Sequence, residues 1–245
     1  MAKVSDGETL DAILGGAITL AQPRRGYRFS IEAILLARFA TAKPRDRLLD
    51  LGAGCGVVAI TLATIGGVKQ AVALEIQPAM AALARRNAAL NKLPNVSVIC
   101  ADLRSRRIAG LAPASFDLVV ANPPFHAIRT GRDSPDASRR VARGESAASL
   151  ADFARAARRS VRNGGRVAVV FAASRAAELI ATMRSNRLEP KRIRFVHPRA
   201  ELAASALMIE ARADGGAEVI IEAPLILHDR AGSYTDEARA MLELP

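Results

Sequence analysis

From residue 47 onward, short apolar runs alternate with longer stretches whose apolar residues recur at helical spacing. Arg47-Leu48-Leu49-Asp50-Leu51-Gly52 is an apolar run ending in glycine and reads as a buried strand, followed by a helix from Val57 to Ile65. Gln70 to Ile76 reads as the second strand. Pro78 to Asn91, rich in Ala, Leu and Arg with proline in its first turn, reads as a helix. Val96 to Ala101 and Phe116 to Ala121 supply the third and fourth strands. Ser149 to Arg162 predicts a helix closed by Asn163-Gly164-Gly165 as a C-cap, then a fifth strand from Arg166 to Ala172 and a helix from Arg175 to Asn186. Strands this continuously apolar are buried on both faces, so the expected class is α/β, a mostly parallel sheet with helices on both sides. Arg192 to Val196, Ala206 to Ala211 and Val219 to Leu227 are also strand-like. The short connection between the last two predicts an antiparallel hairpin at the sheet edge.

Residues 1–46 read as an N-terminal extension packing on a catalytic domain of 47–245, with a hairpin before Tyr27 and a helix from about Ser30 to Thr41. Two stretches read as loops. One is Gln22 to Arg28, with Arg24, Arg25 and Arg28. The other runs from His126 to Gly144 and carries Arg129, Arg132, Arg139, Arg140 and Arg143 against Asp133 and Asp136. A connection that long inside a compact domain is expected to serve a function.

Composition narrows the classes. Half of the 245 residues are hydrophobic, which is ample for a core and excludes a mainly disordered chain. Two cysteines 45 positions apart and three scattered histidines form neither a disulfide framework nor a zinc site, so no metal is expected. No apolar run is long enough to span a bilayer and the first residues lack signal-peptide character, so a cytoplasmic protein without membrane contact is expected. Thirty-five basic against 24 acidic residues give +11, which favours a polyanionic partner such as nucleic acid.

The first strand opens into Gly52-Ala53-Gly54-Cys55-Gly56. Alternating glycines allow a tight turn and close approach of a ligand, but GxGxG is not the GxGxxG of dinucleotide enzymes, which argues against a nicotinamide oxidoreductase. Glu75, at the tip of the second strand and 23 positions after Gly52, is placed to accept from ribose hydroxyls. Asp102, past the third strand, can accept from an adenine amine, while the Leu103 N–H can meet a ring nitrogen. Each feature alone reads equally well as ordinary structure. As a set, the layout resembles the class I S-adenosylmethionine-dependent methyltransferases. That resemblance implies a Rossmann-like, seven-stranded, mostly parallel sheet with an antiparallel edge strand. It also implies S-adenosylmethionine as cofactor, held by Gly52, Gly54, Gly56, Glu75, Asp102 and Leu103.

The fourth strand runs into Asn122-Pro123-Pro124-Phe125, similar to the (Asn/Asp)-Pro-Pro-aromatic signature of methyltransferases acting on amines conjugated to a ring or carbonyl. Such a nitrogen is a poor nucleophile because its lone pair is delocalised. The Asn122 side-chain oxygen and the Pro123 carbonyl can accept its two N–H bonds, aim the lone pair at the methyl donor and stabilise developing positive charge. The prolines stiffen the acceptors, and Phe125 can stack on an exposed base. Asn122 is thus expected to border both cofactor and acceptor.

The flanks narrow the resemblance. Gly26-Tyr27-Arg28-Phe29-Ser30-Ile31-Glu32-Ala33-Ile34-Leu35-Leu36, Arg143-Gly144-Glu145, Pro224 to Asp229 and Ser233 to Glu237 are similar to segments of the tRNA (adenine-N6)-methyltransferases acting on a valine tRNA beside its anticodon. The resemblance implies that Glu32, where relatives carry Asp, lies near the cofactor. Phe125 departs from the tyrosine of the best-known members. The implied partner is RNA, tRNA in the first place, with Arg28, Arg129, Arg132, Arg139, Arg140 and Arg143 on its backbone. The alternatives are ribosomal RNA guanine N2, protein glutamine or a small molecule as acceptor, or a non-catalytic RNA-binding protein. Ribosomal guanine enzymes are usually longer, and glutamine enzymes usually carry a helical domain for which 46 residues leave little room. The oligomeric state is left open.

Overall fold

The alternating apolar runs collapse into three layers in a computed structural model, which describes residues 7–26, 28–124 and 148–243. Tyr27, Phe125, His126, Glu145 and the arginines at 129, 132, 139, 140 and 143 lie outside those residues. Strands β1 (Glu8–Ile13) and β2 (Ile18–Pro23) form the expected antiparallel hairpin, and α1 (Ile31–Phe39) follows. The alternating part runs β3 (Arg47–Leu51), α2 (Val57–Ile65), β4 (Gln70–Glu75), α3 (Pro78–Leu90), β5 (Val96–Cys100) and β6 (Phe116–Ala121). It continues as α4 (Leu150–Ser160), β7 (Val161–Ala172), α5 (Ala176–Ser185), β8 (Leu188–His197) and β9 (Ala206–Ala213). Two two-residue strands, β10 (Ile220–Ile221) and β11 (Leu225–Ile226), and helix α6 (Asp236–Leu242) end the chain.

The main sheet has the order β10-β8-β9-β7-β6-β3-β4-β5, with β11 also on β8. Every neighbouring pair is parallel except those made by β9, which runs against both β7 and β8. The seven expected strands are present and are joined by β10 and β11. The antiparallel strand stands near one edge, with β8 outside it. Alternation sorts the side chains: Leu48, Leu118 and Val120 join the core under α1, α2 and α3, and Leu49, Leu51, Val119 and Ala121 the core under α4 and α5. Among the described residues no helix is long and apolar enough to cross a membrane.

Two expectations need correction. Asn163-Gly164-Gly165 does not cap a helix. The helix ends at Ser160, the Val161 N–H donates to Ala157, and the glycines lie inside β7. There the pairing with β6 shifts from Phe116↔Val161 to Leu118↔Arg166. A Cβ on Gly165 would stand 2.6 Å from the Val161 side chain, so the irregularity is built on glycine. The tail hairpin is also different. The antiparallel partners of β9 are β8 and β7, and Val219 to Leu227 divides around Ala223-Pro224 into β10 and β11, both parallel to β8. Pro224 lacks the N–H that a continuous ladder requires.

The β1–β2 hairpin is fastened to α3 by two asparagines. Asn87 accepts from the Ala21 N–H (2.8 Å) and donates to the Ala21 carbonyl (2.9 Å), and Asn91 makes the same pair of bonds with Thr19 at 2.9 and 2.8 Å. Four residues of helix rise about 6.0 Å and two residues of strand about 6.7 Å. Side-chain amides at i and i+4 can therefore pair with alternate residues along the outer edge of β2, where a third strand would otherwise add.

Candidate active site

The tips of β3, β4, β5 and β6 are brought level by register. Leu51 pairs with both Leu74 and Ala121, so Gly52, Glu75 and Asn122 are the next residues on three adjacent strands, and Asp102 lies two beyond Cys100, the partner of Glu75. The four strand-tip positions singled out in the sequence thus share one rim.

Gly52, Gly54 and Gly56 all have positive φ (72°, 56° and 88°), a backbone that L side chains rarely adopt. Space is also short: a Cβ on Gly52 would lie 3.2 Å from the Phe153 ring, and one on Gly56 3.2 Å from Ala84. Two carboxylates hold the loop. Glu75, 4% exposed, accepts from the Gly54 N–H (2.9 Å) and the Gln77 N–H (2.8 Å). Each of its oxygens keeps a second lone pair, which suits it to a diol donor. Asp50, 1% exposed within β3, accepts from the Ala59 N–H (3.1 Å) in the first turn of α2. Burial, which outweighs that bond and is helped by the charge of Glu75, pushes its pKa up to about 7. Burial likewise pushes the Cys55 thiol up to about 11, away from nucleophilic use. The Cys55 carbonyl receives a second N–H of Asn87 at 2.9 Å, so one buried amide joins the hairpin to the glycine loop.

Asp102 is engaged by Arg104, whose backbone and guanidinium N–H groups reach its two oxygens at 2.7 to 3.0 Å. Arg104 holds that carboxyl below its usual range. A nucleobase amine at this tip would therefore meet an acceptor that already has a partner. Leu103 is buried, and its carbonyl accepts from Arg159 at 2.8 Å.

Asn122 is half-buried and Pro123 buried, while Pro124 is exposed. The Asn122 amide has no hydrogen-bond partner among the described residues, although partly buried amides normally find one. Glu32, in the first turn of α1, is half-buried and likewise has no partner among them. Arg28 is committed to the hairpin: it pairs with Asp11 at 3.2 Å and donates to Thr9 and the Pro23 carbonyl. No cluster of three His, Cys, Asp or Glu suited to a metal occurs among the described residues.

Asp50, Asn87 and Phe153 were not singled out from the sequence. Asp50 carried a signal, a lone carboxylate in an otherwise apolar strand, and so did Asn87, a poor helix former inside an alanine-rich helix. Phe153 carried none, since its contact with Gly52 spans about a hundred positions.

Comparison with known proteins agrees with this geometry. A curated relative from Porphyromonas gingivalis, named tRNA1(Val) (adenine(37)-N6)-methyltransferase, is 28% identical over 220 residues, 86% of this chain and 85% of its own. The release factor glutamine methyltransferase of Escherichia coli is 34% identical over 79 residues, 32% of this chain and 27% of its own. Among solved structures, a predicted O-methyltransferase from Agrobacterium tumefaciens superimposes with a TM-score of 0.67 at 26% identity, covering 85% of this chain and 94% of that one. The family model described as methyltransferase small domain matches residues 31–186, and on that match, with the glycine loop and the Asn-Pro-Pro turn level on one rim, the chain belongs to the methyltransferase small domain family.

Proposed function

We propose that this protein transfers the methyl group of S-adenosylmethionine to N6 of an adenine in RNA, with a valine tRNA as the first candidate and the cytoplasm as its place of action. The observation that carries the reading is the Asn122 amide beside the glycine loop, in register with Gly52 and without a hydrogen-bond partner among the described residues. The glycines and Glu75 fit the cofactor: the loop backbone admits a close ligand, and the carboxylate keeps acceptor capacity for the ribose. When bound, the cofactor supplies a methyl group on a positively charged sulfur, whose departure as a neutral thioether calls for no metal. The Asn122 oxygen and the Pro123 carbonyl hold the two N–H bonds of the amine. As the N–C bond forms and the C–S bond breaks, one of those protons passes on to solvent. Positioning and charge stabilisation of this kind lower the barrier without a strong base.

In this reading residues 1–46 are an extension docked on the domain of 47–245, through Asn87, Asn91 and the Arg86–Glu8 ion pair. Phe125 and the arginines at 129, 132, 139, 140 and 143 complete the acceptor side. Arg28 reaches a phosphate only by exchanging Asp11 for it. Nucleoside mass spectrometry of unmodified valine tRNA incubated with the protein and S-adenosylmethionine tests the proposal. N6-methyladenosine is expected with the native chain, and Asn122→Ala should slow its formation by about 100-fold, the usual scale for losing one positioned acceptor or donor. S-adenosylhomocysteine affinity by calorimetry should stay within a few-fold. Full activity of Asn122→Ala sinks the amine clamp. Methylation of guanine N2, or of a peptide glutamine in place of RNA, moves the acceptor.

A further inference from the structure

The stacked pair His228–Tyr234 projects beyond the same, carboxyl, end of the sheet that carries Asn122. Because β9 opposes both β7 and β8, β8 runs parallel to β7; through Val169 and Ile209 its Ile193 lies level with the ends of β3 and β6, and His197 stands four residues beyond them. Ile226 of β11 pairs with His197, so the turn from 228 to 234 projects beyond that rim. Four strand spacings of about 4.8 Å put β11 roughly 19 Å across the sheet from β6, and the pair stands several residues further out along the strand direction than Asn122.

The turn is built with care. The rings lie 4.8 Å apart and 24° from parallel. The Thr235 N–H donates to the Leu227 carbonyl (3.0 Å) and its hydroxyl to the Ile226 carbonyl (2.6 Å). Within the turn, the Asp229 N–H donates to Ser233 and the Ser233 N–H to the Asp229 carboxylate. Arg239 holds the Tyr234 carbonyl at 3.1 Å, and the His228 ring nitrogen meets the Pro198 carbonyl at 3.2 Å. All this fixes an aromatic ring that remains 41% exposed, in a chain with two tyrosines and no tryptophan. The charges around it are sorted: Arg194 neutralises Glu237 and Arg239 neutralises Asp236. Arg199, beside Gly232, and Arg230 have no ion-pair partner among the described residues, and Glu201 is the exposed acid near Arg199 in sequence.

We propose that Tyr234, backed by His228, is a stacking platform for an unpaired nucleobase of the RNA substrate, several nucleotides from the one held at Asn122, with Arg199 and Arg230 on the adjoining phosphates. This rests on the RNA reading above. A ring supported on one side by a second ring binds a base at little entropic cost, and every base offers a face to it, so the platform adds affinity without sequence choice.

The test is fluorescence anisotropy with an unmodified anticodon stem–loop RNA, beside tritium transfer from S-adenosylmethionine to the same RNA. Tyr234→Ala is expected to weaken RNA binding and raise KM for RNA about 5- to 100-fold, the range that loss of one base–aromatic stack gives. The rate at saturating RNA and the affinity for S-adenosylhomocysteine should be unchanged, which shows the fold intact. Tyr234→Phe should restore binding. Arg199→Ala with Arg230→Ala should flatten the salt dependence. Equal RNA affinity of Tyr234→Ala and native protein overturns the platform. RNA binding that depends on Tyr234, without methylation of adenine, leaves the platform standing and overturns the adenine acceptor. No RNA binding by the native chain overturns both.

Discussion

Asn87→Ala isolates the amide that links the hairpin to the glycine loop. The side chain is 0% exposed and makes three bonds of 2.8 to 2.9 Å, two to Ala21 and one to the Cys55 carbonyl. Alanine leaves one N–H and two carbonyls without partners among residues that are themselves buried. Each unsatisfied group costs about 1–3 kcal/mol, reduced where the site relaxes, so a total of about 3–5 kcal/mol is expected. For a chain of this size that lowers Tm by about 10 °C. Asn91→Ala is the control. It removes the matching pair of bonds to Thr19 from a partly exposed position that water can enter, and it leaves Cys55 untouched, so its cost should be about 1–2 kcal/mol. Urea unfolding gives the stabilities, and calorimetric titration with S-adenosylhomocysteine gives the state of the loop. Asn87→Ala should lose affinity at a temperature where it is still folded, and Asn91→Ala should not. A Tm for Asn87→Ala within about 2 °C of native, or equal affinity losses in the two variants, would refute this account of the link.

Two further outcomes follow from the carboxylates of the rim. The pKa of Asp50 is raised from 3.8 to about 7, so the folded chain holds this proton more tightly than the unfolded chain does. Its contribution is then most favourable below pH 4 and is lost as pH rises to about 7, at most about 4 kcal/mol for a shift of this size. Asn at position 50 keeps an acceptor for Ala59 and does not ionise. Asp50→Asn should therefore gain on native protein in urea unfolding between pH 5 and pH 8, and a constant difference across that range counts against the burial argument. Arg104→Ala should free the Asp102 carboxylate and tighten S-adenosylhomocysteine by a few-fold in calorimetry. Weaker binding would mean that Arg104 itself contacts the nucleoside.

The alternating core of the chain could be read before folding because its signals are local. An apolar run ended by glycines and the periodicity of Val57 to Ile65 and Pro78 to Asn91 each lie within one element. The rim residues followed, since the tip of a strand is known once the strand is. What escaped was long-range. The ties of Asn87 to Ala21 and Phe153 to Gly52 join residues far apart in sequence, and no periodicity announces them. At Asn163 to Gly165 local chemistry misled: the same glycines that close helices also permit a strand to bulge, and pairing with β6 decided between the two. At Arg28 charge gave only half the picture: the sequence shows a basic loop but not the ion pair that ties this arginine to Asp11 of β1.

The order β8-β9-β7 bears on how the polypeptide matures on the ribosome. β8 is synthesised before β9 yet reaches the sheet only through it. A nascent chain that stops short of residue 206 leaves β8 without its antiparallel partner and the outer side of β7 open, along Val167, Val169 and Phe171. Unpaired apolar edges of that kind invite association between chains. β9 thus completes the sheet only after its other long strands have been made, and a chain stopped before it is a sticky intermediate in place of a shorter enzyme.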